Sequence, residues 1–144
     1  MKVTSEYVDR LVNNWRQHGK IIIGVDFDDT IAPYMFNEQS TCNEVINLVR
    51  EAIKTGAYIV IHTACNPDRH REILEYCSSV GIIVSSINKN PISLPYGEKG
   101  KPLCNIYLDD RAGLNEACNI LQQAIYVIRG ERESSKLTNQ NTEF

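Results

Sequence analysis

Ile21-Ile22-Ile23-Gly24-Val25-Asp26-Phe27-Asp28-Asp29-Thr30 is the stretch on which the fold turns. A β-branched run ends abruptly in acid and hydroxyl side chains. A short apolar run of this kind predicts a strand buried on both faces, as in a parallel sheet. Upstream, Tyr7, Val8, Leu11, Val12 and Trp15 recur at helical spacing over residues 4–18, and Gly19 supplies a stop. Downstream, Thr41-Cys42-Asn43-Glu44 has the form of a capping box. Val45, Leu48, Val49, Ala52 and Ile53 then follow at helical spacing to Gly56.

The same alternation continues. Tyr58 to His62 reads as a second buried strand. Asn66-Pro67 opens a helix with an apolar stripe of Ile73, Leu74 and Cys77, ended by Gly81. Ile82 to Ile87 predicts a third strand, and residues 88–100 a loop rich in Pro, Gly, Asn and Ser. Cys104 to Leu108 predicts a fourth strand. Leu114, Ala117, Cys118, Leu121, Ile125 and Ile128 mark a last helix, with an edge strand over residues 124–128 as the alternative. Strands alternating with helices predict an α/β fold: a three-layer, Rossmann-like, mostly parallel sheet with helices on both faces. A single domain is expected over residues 1–130, with residues 131–144 a flexible polar tail.

At 144 residues, 42% apolar and a net charge of −3, the chain suits one globular core and not a strongly basic nucleic-acid binder. No signal-type leader or membrane-length apolar run is present in the sequence, so a cytoplasmic protein without a membrane partner is expected. The five cysteines are scattered, with no Cys-x-x-Cys pair, and suggest neither a zinc site nor a disulfide frame.

In open parallel sheets, ligands bind beyond the carboxyl ends of the strands. The first predicted strand ends in Asp26, Phe27, Asp28 and Asp29, the second in Thr63, and the fourth in Asp109 and Asp110, preceded by Lys101. Carboxylates crowded on one edge repel, and a bound cation relieves that repulsion. Hard oxygen ligands, with no histidine or cysteine expected nearby, favour magnesium. Each motif alone has a simpler reading: Asp28-Asp29-Thr30 as a turn, Asp109-Asp110 as a helix cap. Their joint occurrence at two strand ends, with Thr63 and Lys101 in order between them, favours a catalytic edge.

Val25-Asp26-Phe27-Asp28-Asp29-Thr30, Ile61-His62-Thr63, Lys101 and Tyr107-Leu108-Asp109-Asp110-Arg111 together resemble the haloacid dehalogenase (HAD) superfamily of phosphotransferases. The resemblance covers roughly residues 20–129. Ile87-Asn88-Lys89-Asn90-Pro91 and the segment from Asn105 to Gly113 are similar to the small, nearly capless members of bacteria and phages. It implies a magnesium-dependent phosphatase. Asp26 would be the nucleophile that forms an aspartyl-phosphate, and Asp28 the general acid and then base. Magnesium would be held by the Asp26 carboxylate, the Asp28 carbonyl and Asp109, with Asp110 orienting a bound water. Thr63 would donate to a phosphate oxygen beside the backbone amides of Ala64 and Cys65, and Lys101 would offset negative charge. Lys99 and Lys89 are rivals for the lysine role. Asp29 stands where the family often has glycine, and is expected as a supporting or exposed carboxylate.

His62 reads as a satisfied core histidine. Arg69 and Arg71 read as a solvated helix face, with a phosphate contact as the alternative. The short connections leave room for no cap domain, so an open site is expected, rimmed by Tyr34, Asn88, Asn90 and Tyr96. Openness suits a nucleotide or a nucleic-acid end as the phosphorylated substrate. The N-terminal helix, or a second subunit in a homodimer, is the alternative cover. The competing readings are a non-catalytic magnesium- or phosphate-binding module, and a receiver domain. The latter is disfavoured because its phosphorylated Asp would stand where this chain has Thr63.

Overall fold

The computed structural model describes residues 3–92 and 103–141, and the side chains of 6–92 and 103–138. Lys99, Lys101 and Tyr96 lie outside the described residues. Among those that are described, no helix is long and apolar enough to cross a membrane.

Four strands, β1 (Ile21–Asp26), β2 (Ala57–His62), β3 (Ser86–Ile87) and β4 (Ile106–Leu108), form one sheet in the order β3-β2-β1-β4. All pairs are parallel. The helices α1 (Val3–His18), α2 (Gln39–Gly56), α3 (His70–Ser79) and α4 (Leu114–Asn141) flank it, consistent with a Rossmann-like α/β fold. A single 3-10 turn, Pro67–Arg69, precedes α3.

The core follows from the alternation of side chains along the strands. Ile21, Ile23 and Val25 of β1 and Ile59 and Ile61 of β2 are fully buried, as is Leu108 of β4. They meet Val45, Val49 and Ala52 of α2, Leu121, Ala124 and Ile128 of α4, and Leu11, Val12 and Trp15 of α1 in one cluster. The alternate residues Ile22, Tyr58 and Tyr107 are only partly buried, so the strands are less uniformly enclosed than the apolar runs predict. Tyr7 and Leu74, placed by spacing on buried stripes, are exposed.

Gly24 has a steric reason. A Cβ there would stand 2.8 Å from Cδ1 of Tyr107 and 3.0 Å from Sγ of Cys104. The Tyr107 hydroxyl accepts the Cys104 N–H at 3.1 Å, which restrains the ring, so an added Cβ must displace packed side chains. Gly24→Ala is expected to cost ~2 kcal/mol by overpacking the central strand. In a thermal melt that is a drop of about 4–8 °C; an unchanged midpoint would mean the Tyr107 ring moves freely.

Several boundaries differ from the sequence reading. Helix α2 starts at Gln39 with Glu38 as N-cap, so Thr41 is already inside the first turn and does not cap it. The third strand shrinks to Ser86–Ile87, because Ile82 donates its N–H to the Cys77 carbonyl (2.9 Å) and stays attached to the end of α3. The fourth begins at Ile106 rather than Cys104. Asn105 precedes it, donating its backbone N–H to the Ile22 carbonyl (2.8 Å) and accepting the Ile22 N–H on its side chain (2.7 Å). Residues 124–128 are helical.

Residues 131–141, within the segment expected as a flexible polar tail, continue α4 as helix. The stretch around residues 129–132 has partners on α1 and α2. Arg129 binds Glu51 and the Thr55 hydroxyl, Arg132 donates to the Thr55 carbonyl, and Arg16 pairs with Glu131. Cations reaching the carboxyl end of α2 complement its dipole and its unsatisfied carbonyls. The turn at residues 129–132 is thereby held by charge, and residues 133–138 beyond it are exposed.

Candidate functional site

The strand order creates the site. From β1 the chain moves outward through β2 to β3, then returns to the other side of β1 as β4. The carboxyl ends of β1 and β4 therefore bracket the switch point, where a crevice forms in sheets of this type. The register then selects the residues. Asp26 pairs with His62, and Val25 pairs with Leu108, so Asp109 follows in the row beside Asp26. Three neighbouring strands place Asp26, His62 and Asp109 side by side. Each offers a ligand atom, and these atoms all lie within 4.8 Å of one another.

Thr30 ties the two acidic segments together. Its buried hydroxyl lies 3.1 Å from Oδ2 of Asp26 and 3.3 Å from Oδ1 of Asp110, and accepts the Asp110 N–H at 3.0 Å. The turn that brings it there is compact: the N–H groups of Thr30, Ile31 and Ala32 all converge on the Phe27 carbonyl. Burial, a hydrogen bond with Asp110 and the charge of Asp109 push the Asp26 carboxyl up to about 7, against the opposing pull of the Thr30 hydroxyl. Asp109 is oriented by the Arg111 N–H on its Oδ1, at 2.9 Å.

The remaining acids are engaged elsewhere. Both oxygens of Asp28 meet the Arg69 guanidinium, at 3.1 and 3.2 Å, in a bidentate pair that is only partly exposed. Arg71 instead pairs with Glu75 on the helix surface. Asp29 is neither exposed nor in the cluster. It is buried, with φ 62°, and its carboxylate accepts the N–H groups of Tyr34, Met35, Phe36 and Asn37 at 3.0–3.2 Å. Burial pushes its carboxyl up, but those four amides prevail and hold it below the usual range.

Thr63 sits at the end of β2, where Asn88 brackets its backbone. Asn88 accepts the Thr63 N–H on Oδ1 (2.8 Å) and donates to its carbonyl from Nδ2 (3.0 Å). Asn88 adopts φ 56°, a conformation asparagine tolerates better than most residues. The Thr63 hydroxyl accepts the Cys65 N–H at 3.2 Å, folding the Ala64 turn beneath it. Asn90 accepts the Leu103 N–H at 2.9 Å, and Lys89 is exposed. Asn88 and Asn90, expected on the substrate rim, thus serve the backbone, while Tyr34 is exposed beside Asp29.

His62 is the residue that sequence reading set aside. It is half-buried at the strand end, edge-on to Tyr107 with ring centroids 6.0 Å apart and an interplanar angle of 81°. Its presence changes the donor set, which had been expected to hold oxygen alone. The register brings it there: the residue before Thr63 pairs with the last residue of β1, which no local sequence pattern shows. Asp26 and Asp109 fit a divalent cation, with His62 as a third donor. The Asp28 side chain, held by Arg69, stands outside that group.

Fold and site together define an α/β protein with a carboxylate–imidazole cluster at the switch point of a parallel sheet. No protein-family model, curated protein or solved structure matches the chain.

Proposed function

We propose that this protein is a metal-dependent phosphomonoester hydrolase of haloacid dehalogenase type, acting through an aspartyl-phosphate on Asp26. The observation that carries the reading is the convergence of Asp26 and Asp109 at the sheet's switch point, tied to Asp110 through Thr30. Segments far apart in sequence supply those groups, which a helix cap or a turn does not require.

In this mechanism an Asp26 oxygen attacks phosphorus, and the bond from phosphorus to the ester oxygen breaks. Asp28 gives a proton to the departing oxygen. Water then attacks the phosphorus of the aspartyl-phosphate, Asp28 accepts its proton, and phosphate leaves with Asp26 restored. Arg69 must release Asp28 for that role, and an incoming phosphate dianion is a suitable competing partner for the guanidinium. The Thr63 hydroxyl and the Ala64 amide lie at the neighbouring strand end, where they can donate to phosphate oxygens, while the Cys65 amide is taken by the Thr63 hydroxyl, and Lys101 is the proposed lysine. A bound cation, magnesium by resemblance, supplies charge neutralisation of the nucleophile and the phosphate. The connections after β1 and β2 are short, which favours a nucleotide or a nucleic-acid end as substrate.

The Asp28–Arg69 pair also favours a second reading, a phosphate- or metal-binding module in which Asp28 is structural. One assay separates the two. Phosphate release is measured across a panel of phosphomonoesters, with magnesium or with chelator, for the native chain and Asp26→Asn. Turnover that requires both the metal and Asp26 supports the hydrolase. Phosphate binding without turnover on any substrate supports the module.

A further inference from the structure

We propose that Tyr34 and Phe36 form a stacking platform for the base of a nucleotide whose phosphate is held at the Asp26 edge. The inference rests on the proposed phosphate chemistry of that edge, and narrows its ligands to nucleotides over phosphate esters without a base.

Tyr34, Met35 and Phe36 are 63, 84 and 85% exposed, three large apolar side chains in a row on one loop. Single exposed apolar residues are ordinary, whereas a contiguous group marks a contact surface. The loop that carries them is held in place. The backbone N–H groups of residues 34–37 all end on the buried Asp29 carboxylate, and the Asn37 side chain donates to the Asp29 carbonyl at 2.7 Å. From the other side, the Tyr76 hydroxyl of α3 donates to the Ile31 carbonyl at 2.7 Å, and its ring meets Phe27 edge-on. Backbone bonds thus fix the loop while its large side chains stand in solvent. A loop ordered before its ligand arrives loses less entropy on binding.

Position and chemistry choose the occupant. Asp29 follows Asp28, the partner of Arg69, and stands three residues from Asp26, a reach of at most ~11 Å of backbone. A ligand with its phosphate at Asp26 therefore extends past this anchor toward the loop. Residues 31–37 carry no charge, and the aromatic faces of Tyr34 and Phe36 suit a flat, neutral ring system such as a nucleobase. A second copy of the chain fits less well. Three side chains of at most ~250 Å2 each fall short of the ~800 Å2 per partner of a stable interface, and the exposed residues that follow, Glu38, Gln39 and Ser40, are polar. A net charge of −3 does not suit tracking a long polyphosphate backbone. The stacked base therefore belongs to the nucleotide whose own phosphate reaches Asp26.

The test measures binding in the full chain carrying Asp26→Asn, which retains a phosphate ester without turning it over. AMP and ribose 5-phosphate share the phosphate and differ by the base. Both are titrated by calorimetry with magnesium present. AMP is expected to bind at least about tenfold more tightly, and that preference to fall about tenfold when Tyr34→Ser and Phe36→Ser are added. Phe36→Trp supplies a second readout. It keeps a stacking face, and the chain's own Trp15 is buried, so the added emission is expected to be quenched by AMP and not by ribose 5-phosphate. Equal affinities for the two ligands overturn the proposal, as does a preference that survives the double substitution, emission that AMP leaves unquenched, or no AMP binding at all. Self-association in sedimentation velocity that the double substitution abolishes assigns the loop to a second copy and also overturns it. None of these readings needs turnover, so failure of the hydrolase reading is registered separately, as absence of phosphate release from the native chain.

Discussion

Asp26→Asn is expected to make the metal-free protein more stable at pH 8 while lowering phosphate release at least ~1000-fold. The two effects have one cause. Asp26 is a half-buried acid beside Asp109 and Asp110, and its carboxyl is pushed up to about 7. Its ordinary value in an unfolded chain is near 3.9. Between those values the folded state binds a proton that the unfolded state has released. The stability this contributes is complete below about pH 4 and is lost as pH rises through about 7. Allowing for water screening at a partly exposed site, metal-free native protein should lose ~2–3 kcal/mol between pH 4 and pH 8 through this group. Asparagine carries no such charge, so the variant should lack this pH dependence. Its melting midpoint at pH 8 should lie about 5–10 °C above that of the native chain. A saturating divalent cation should narrow or reverse the gap, because it offsets the repulsion only where Asp26 can ionise and bind it. A variant that melts below the native chain without metal at pH 8 would mean that the acids do not repel as the geometry requires.

The second large effect is expected at Asp29. Asp29→Ala removes the acceptor for four backbone N–H groups, from Tyr34 to Asn37, and places a β-carbon residue without a local hydrogen bond at φ 62°. Hydrogen bonds to a charged acceptor are worth ~1.5–3 kcal/mol each in isolation, but amides near the surface recover water. A net cost of about 2–4 kcal/mol is reasonable, visible as a lowered denaturant midpoint. Asp29→Asn keeps the backbone preference and one acceptor oxygen, and should cost about half as much. The pH dependence has the opposite sign to that of Asp26. The Asp29 carboxyl is held below its ordinary range, so its contribution is present above about pH 4 and is lost as pH falls through its folded value. Equal stability of Asp29→Ala and the native chain at pH 7 would show that the loop over residues 34–37 holds itself.

The sequence-based expectation at Asp29 left a supporting and an exposed carboxylate open, and burial rules out the exposed one. An acid following Asp28 in a turn carries no local sign of whether its partners are solvent or amides several residues ahead. Those partners exist only because the chain folds back on itself after Ala32, whose carbonyl accepts the Asp29 N–H at 2.7 Å. Asp28 is comparable. Its bidentate partner Arg69 lies beyond β2 and read as part of a solvated helix face. The continuation of α4 past Gly130 was missed because a polar composition reads as solvent-exposed, as residues 133–138 are, and gives no sign that Arg129 and Arg132 meet carbonyls and an acid on α2.

Local pattern by itself determined the alternation of strands and helices, the parallel α/β class, and the placing of Asp26 and Asp109 at strand ends. Those properties depend on side-chain period and on where an apolar run stops, and both are written along the chain. Tertiary structure alone decided that β4 lies beside β1, that His62 shares a row with Asp26 and Asp109, and that Thr30 joins Asp26 to Asp110. Strand neighbours and register are set by how the whole sheet buries its apolar face. No segment carries that information until the others are packed against it.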